Sequence, residues 1–207
     1  MTVGWPAQLA DGRVGLRAFR MRDAAAWSDL RIRNQAWLAP WEGRPESQPH
    51  ASWTDRHSGA VFSAMLRASR KEARAGRGLS FAVTYDQRLA GQVTASGIVR
   101  GAFDSAFVGY WIDGALAGRG ILPTALALVV DHCFGPVGLH RIEANIRPEN
   151  AASRRVVEKL GFRPEGLHER YLYIDGGWRD HLTYAVTRED VPEGMLRRWH
   201  AVRTAPG

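Results

Sequence analysis

Cysteine is almost absent: Cys133 stands alone in 207 residues. One thiol forms no internal disulfide and no metal site by itself, so a disulfide framework and thiolate zinc chemistry are excluded, and a reducing cytoplasm is expected. Lysine is nearly as scarce. Only Lys71 and Lys159 occur among 28 basic residues, set against 21 acidic ones, so arginine carries the net charge of +7. Long apolar runs are missing too. The longest, Ile121 to Val130, has ten residues and includes a proline and a threonine, half of what a spanning helix needs. The opening residues MTVGWPAQLADGR show no basic start followed by an apolar block, so neither a signal peptide nor a membrane partner is expected. No GxGxxG and no GxxxxGK[ST] occurs, which disfavours a Rossmann site and a P-loop.

What is present is ordinary for a globular chain: 45% hydrophobic and 24% charged residues. The length suits one domain, with a core over about residues 13–190 and a tail over 191–207. The arginine excess suggests anionic partners, nucleic acid or small polyphosphates, or else a solvated surface.

Periodicity gives a coarse order of elements. A strand is expected over Arg13–Phe19, then a helix capped by Asp23, then a long loop over Asn34–Pro49. A second helix is expected over Ser52–Ala75; its basic end, Arg67 to Arg77, suits the helix dipole. Leu79–Tyr85, Leu89–Val99 and Ala106–Asp113 read as a three-stranded antiparallel meander. The run ILPTALALVVDHCF reads as a buried helix. Leu139–Ile146 reads as a strand, and a helix follows from Asn150 to its stop at Gly161. A hairpin through Asp175-Gly176 closes the series, and the polar tail from Glu189 is expected to fray, with Met195–Trp199 as a candidate short helix. The result is a single-domain α/β (α+β) chain with a mixed, mostly antiparallel sheet, in the order β-α-α-β-β-β-α-β-α-β-β.

The step from strand to helix at Ala117-Gly118-Arg119-Gly120-Ile121-Leu122 is suited to an anion. Glycines let the backbone approach closely, and free N–H groups of a helix's first turn point outward. The piece HRIEANIRPENAASRRVVEKLGF, His140 to Phe162, resembles a signature of the GNAT acyl-CoA N-acetyltransferase superfamily, and Ala117 to Leu122 is similar to its pyrophosphate loop. Ala117 stands where Arg or Gln is usual, and Leu122 where a small residue is usual. The stretch from Gly161 to Val186, with IDGGWRDH, and AWLAPWE, Ala36 to Glu42, resemble the RimJ/RimL branch, which acetylates N-terminal α-amines of ribosomal proteins.

The resemblance implies a splayed sheet that binds acetyl-CoA. Trp111 and Ile112 amides would meet the pantetheine arm, with Gly109 marking a bulge that opens the sheet. Residues Ala117 to Leu122 would hold the diphosphate. Asn150 would fix a CoA amide and Ser153 would protonate the departing thiolate, unless both simply cap their helix. Tyr171 is a second candidate acid. In some relatives a Glu follows on the next strand; counted from Gly161-Phe162 that slot holds Leu172, so the resemblance brings no base. Among the remaining carboxylates, Glu143 shares a strand face with Arg141 and Asn145 and is the candidate to order a water, whereas Asp180 and His181 suit the hairpin. Trp37, Leu38, Pro40 and Trp41 would wall the acceptor pocket.

An acceptor class follows from proton arithmetic. An α-amine is neutral to roughly 10–15% at pH 7, a lysine side chain to only about 0.04%. A site without a dedicated base therefore prefers α-amines; the resemblance implies the N-terminus of a ribosomal protein as partner, with Arg67 to Arg77 a candidate contact for ribosomal RNA or the 3′-phosphate of CoA. Acetylation of a small amine such as an aminoglycoside or polyamine, and a non-catalytic basic RNA-binding module, are the alternatives; monomer and dimer are both open.

Overall fold

The computed structural model describes residues 4–47 and 51–204. Pro49, the end of the expected loop, lies outside them. Eight strands form one sheet in the order β1-β2-β3-β4-β5-β6-β8-β7. The strands are β1 Gln8–Asp11, β2 Val14–Ala18, β3 Gly78–Tyr85, β4 Arg88–Val99, β5 Ser105–Ile112, β6 Arg141–Ile146, β7 Arg163–Ile174 and β8 Gly177–Thr187. Neighbours pair antiparallel except β5 and β6, which are parallel.

Helices α1 Ala24–Arg33, α2 Gln35–Leu38, α3 Trp53–Arg56 and α4 Gly59–Arg74 precede the meander. On that side of the sheet Phe19, Trp27, Phe62 and Leu66 pack with Ala82 and Trp111. Helices α5 Ile121–Phe134, α6 Ala151–Leu160 and α7 Met195–Thr204 belong to the larger core, built on Phe81, Val83, Val93, Val108 and Ile142. The odd and even residues of β3 thus serve two cores, as strand alternation requires.

Two turns show how local chemistry sets the register. Asp86 and Gln87, at φ 49° and 65°, close β3 onto β4, and Asp175-Gly176, at φ 50° and 75°, closes β7 onto β8. Positive φ at both central residues is what a two-residue hairpin demands. Helix α6 ends where expected: Gly161 is left-handed, and Phe162 N–H bonds the Val157 carbonyl at 3.0 Å.

Five expectations need correction. The first strand is one arm of a hairpin, because Gly12 at φ 55° turns β1 onto β2. The loop after Asn34 is partly helical, with α2 and a 3₁₀ turn at Ala39–Trp41. The helix expected over Ser52–Ala75 is two, each with its own serine cap: Ser52 accepts from the Asp55 amide and Ser58 from the Val61 amide. As far as Thr204 the tail is helical instead of frayed. Helix α7 buries Met195 completely, and Trp199 is 4% exposed. Asp23 precedes α1 as expected but does not cap it: its carboxylate takes Arg17 at 2.7 and 2.8 Å and the Arg20 amide at 2.7 Å.

Candidate active site

The site begins with a sheet that parts. β5 and β6 pair only from Ser105–Arg141 to Phe107–Glu143, and beyond that the strands separate. β5 meanwhile keeps unbroken register with β4 from Phe107 to Ile112. Gly109 therefore marks no bulge; divergence of β5 from β6 opens the sheet. The Asp113 amide bonds Ala90 on the β4 side at 2.8 Å, whereas the Ile112 carbonyl accepts from Trp37 Nε1 at 3.2 Å on the open side. Alternation then turns the backbone groups of Tyr110 and Ile112 into the gap and those of Trp111 toward β4. The amide expected from Trp111 is thus replaced by that of Tyr110.

A cleft of about 630 Å³ fills the gap. Its walls include Trp37, Leu38 and Trp41, then Tyr110, Trp111 and Ile112, then Ala117, Gly118, Gly120, Ile121 and Leu122, and finally Asn150 and Ser153. Residues 70 positions and more apart in the sequence converge here because α2, β5, α5 and α6 all end at the parted edge.

The loop before α5 is held from below by Asp113. Its carboxylate binds Arg33, accepts from Asn34 Nδ2 at 3.0 Å and reaches the Ala115 amide at 3.3 Å. Burial alone would lift this acid, but the Asn34 and Arg33 contacts outweigh it and hold the carboxyl below its ordinary value. Gly118 and Gly120 sit at φ 78° and 75°, so the loop needs residues without a side-chain penalty there. The Thr124 amide is the first to bond back, to the Gly120 carbonyl at 3.1 Å. The amides of Gly120, Ile121 and Leu122 find no acceptor among the described residues, and the first turn of a helix leaves such donors for an anion.

Asn150 and Ser153 both sit at the N-terminus of α6. Asn150 Oδ1 accepts from the Ser153 amide at 3.0 Å, so Asn150 caps the helix. Ser153 Oγ donates to Tyr110 Oη at 2.9 Å, and Tyr110 returns its proton to the Ser153 carbonyl at 3.2 Å. Burial pushes the Tyr110 phenol well above its ordinary value, against the Ser153 hydrogen bond, so it stays protonated. Tyr110 was not singled out in the sequence; its position one residue before Trp111 on the edge strand was the available signal.

Other expected residues lie elsewhere. Glu143 receives Arg141 Nε at 2.7 Å, in a chain of charges that runs on to Glu165 and Arg163, and does not line the cleft. Tyr171 accepts from Asn145 Nδ2 at 3.2 Å beside His168 and His181, also outside the cleft walls. Pro40 gives its carbonyl to Arg147 at 2.7 Å instead of its ring to the cleft. Arg119 turns to a separate groove lined by Arg13, Arg33, Arg88 and Asp113. Asp180 and His181 serve the hairpin, as expected: Asp180 accepts from the Arg170 amide at 2.7 Å, and His181 Nδ1 lies 3.0 Å from the Arg179 carbonyl.

Five charged cleft residues escaped sequence reasoning, Glu149 beside Asn150 among them. Arg31 and Glu42 line the cleft beside Trp37 and Trp41, where Glu42 pairs with Arg31 and, at 3.0 Å, with Arg56. Arg31 lies among the rings of Trp53 and Trp111, at 5.2 and 4.9 Å. Arg155 and Lys159, on the outer turns of α6, line the other end. No group of three metal-binding side chains occurs among the described residues, and none of their helices is long and apolar enough to cross a membrane.

A strand edge freed by a parted sheet, an anion-ready glycine loop and a hydroxyl pair at a helix N-terminus define an acyl-CoA-dependent transferase. Comparison with known proteins agrees. Residues 13–163 match the acetyltransferase (GNAT) domain family. RimJ of Mycobacterium smegmatis, solved in complex with CoA-disulfide, is 44% identical with a TM-score of 0.93 and 98% of each chain covered. The [ribosomal protein uS5]-alanine N-acetyltransferase of Escherichia coli (strain K12) is 32% identical over 190 residues, 90% of this chain and 94% of that protein. Probable N-acetyltransferase YjcK of Bacillus subtilis (strain 168) is 46% identical over 105 residues, 51% of this chain and 58% of that protein. The chain belongs to the GNAT acetyltransferase family.

Proposed function

We propose that this protein moves the acetyl group of acetyl-CoA onto the N-terminal α-amine of a ribosomal protein, in the cytoplasm. One observation carries the reading. The parted edge, the αL glycine loop and Ser153 line a single cleft whose far end is walled by Trp37, Leu38 and Trp41. Similarity over nearly the whole chain to RimJ and to the uS5-alanine enzyme supports the acceptor class.

In this reading the free amides of Gly120, Ile121 and Leu122 take the diphosphate, and the Tyr110 and Ile112 edge takes the pantetheine arm and the thioester carbonyl. The neutral amine attacks the carbonyl carbon. The N–C bond forms, the C–S bond breaks, and the thiolate takes the Ser153 hydroxyl proton, while Tyr110 Oη–H turns from the Ser153 carbonyl to Ser153 Oγ to replace it and water in the cleft restores the Tyr110 proton. The amine's own proton leaves to water at the acceptor end. The arginines along α4 stand at the C-terminal turns of that helix, where its dipole favours cations, and are read as solvated rather than as an RNA contact.

Peptides beginning with Ala, Ser or Thr, assayed beside aminoglycosides and polyamines with acetyl-CoA, test the proposal. N-terminal acetylation of the peptides should dominate, and kcat/KM should climb with pH through about 8 as the amine loses its proton. Faster turnover of a small amine would replace the acceptor assignment, and no saturable binding of CoA would remove the enzyme reading altogether.

A further inference from the structure

Helix α7 lies wholly outside the stretch that matches the family, residues 13–163, yet it reaches the cofactor loop. Its N-terminus is pinned to α5, where the Asp131 carboxylate accepts from the Met195 and Leu196 amides at 2.5 and 3.0 Å. One turn on, the Trp199 indole N–H donates to Thr124 Oγ1 at 2.8 Å. Thr124 Oγ1 in turn donates to the Gly120 carbonyl at 2.9 Å, the same oxygen that takes the Thr124 amide at 3.1 Å. The Trp199 ring also lies directly behind Gly120: a Cβ there would stand 3.4 Å from Trp199 Cζ2.

Peptide geometry gives this chain of contacts a consequence. In a trans peptide the carbonyl and the next N–H point in opposite directions. Fixing the Gly120 carbonyl back toward Thr124 therefore fixes the Ile121 N–H forward, out of the helix and into the cleft. A glycine loop left to itself loses more conformational entropy than any other when a ligand orders it. A loop already ordered from behind does not pay that cost at binding.

We propose that Trp199 is a positioning residue for the donor: through Thr124 it sets the Gly120–Ile121 peptide so that its amide meets the diphosphate of acetyl-CoA. This rests on the assignment of Gly118 to Leu122 as the diphosphate loop. The C-terminal helix is, on this view, part of the cofactor site.

The test uses the full chain with two donors, acetyl-CoA and acetyl-pantetheine, the second lacking the diphosphate and nucleotide. Trp199→Phe removes the donor N–H and trims the ring behind Gly120; Thr124→Val removes the relay with little change of shape. Each should raise KM for acetyl-CoA, and Kd for CoA by calorimetry, by about 3- to 10-fold, the worth of one buried hydrogen bond. KM for acetyl-pantetheine and for the acceptor should not move, and the change should fall on KM rather than kcat. A merely structural role would weaken both donors alike, and that result overturns the proposal. Unchanged CoA affinity in both folded variants overturns it as well. Gly120→Val separates the two readings. If it abolishes CoA binding while the Trp199 and Thr124 variants bind normally, the bracing role alone is wrong. If Gly120→Val binds CoA as the parent does, the diphosphate loop is wrongly placed and the bracing role falls with it.

Discussion

At the scale of single residues, the proposed proton transfer rests on two hydroxyls. Ser153 and Tyr110 hold each other through a pair of hydrogen bonds, one to a side chain and one to a backbone carbonyl. Burial raises the Tyr110 pKa and keeps the phenol protonated, so Tyr110 is not the base. Ser153→Ala should lower kcat by about 100-fold or more, and Tyr110→Phe by about 10- to 100-fold, the range of positioned acid catalysis. CoA affinity, read by calorimetry, should stay within about twofold in either, since an acid used only when the thiolate departs contributes little to ground-state binding. Full turnover in both would mean that the leaving thiolate is protonated from solvent. Asn150 and Ser153 were legible in the sequence because a capped helix after a strand is a local pattern. The partner of Ser153 was not, because it lies 43 residues away on another element.

At the scale of elements, the loop between β5 and α5 is gripped on both sides. Asp113 ties its entrance to α1 through Arg33 and to the following Asn34, while Thr124 and Trp199 tie its exit to α7. Asp113→Ala leaves Asn34 and the Ala115 amide without their acceptor. It should cost about 1–3 kcal/mol in urea unfolding and weaken CoA binding in the same protein. Stability equal to the parent's would show that the loop entrance is held by other contacts. Boundaries were legible where a cap or a positive-φ residue marked them, as at Gly161 and Asp175-Gly176. They were lost in the 52–75 stretch, where helical periodicity runs on through a second serine cap, and in the tail, where Met195 and Trp199 look isolated until Asp131 and Thr124 receive them.

At the scale of the whole molecule, buried carboxylates couple the fold to pH. Burial by itself would raise Asp23, but the Arg17 guanidinium and the Arg20 amide prevail and leave it below its ordinary value. A carboxyl depressed in the folded state stabilises the protein above its unfolded pKa, about 3.9, and that contribution fades as pH falls through the lower folded value. The stability difference between the parent and Asp23→Asn should therefore be largest above pH ~4 and shrink below it; a difference that persists unchanged in acid would show that Asp23 acts through packing alone. The sequence by itself determined the three-stranded meander, the buried helix after it, the last hairpin, the glycine loop and the capped helix at Asn150, because turns, caps and periodicities are short-range. Only the tertiary structure decided that β5 parts from β6 without a bulge, that Tyr110 rather than Trp111 turns its backbone to the gap, that Glu143 is spent on Arg141, and that the last helix stands behind Gly120. These depend on how strands diverge and which side chains meet across the sheet, and no local pattern encodes a contact between residues 75 positions apart, such as Thr124 and Trp199.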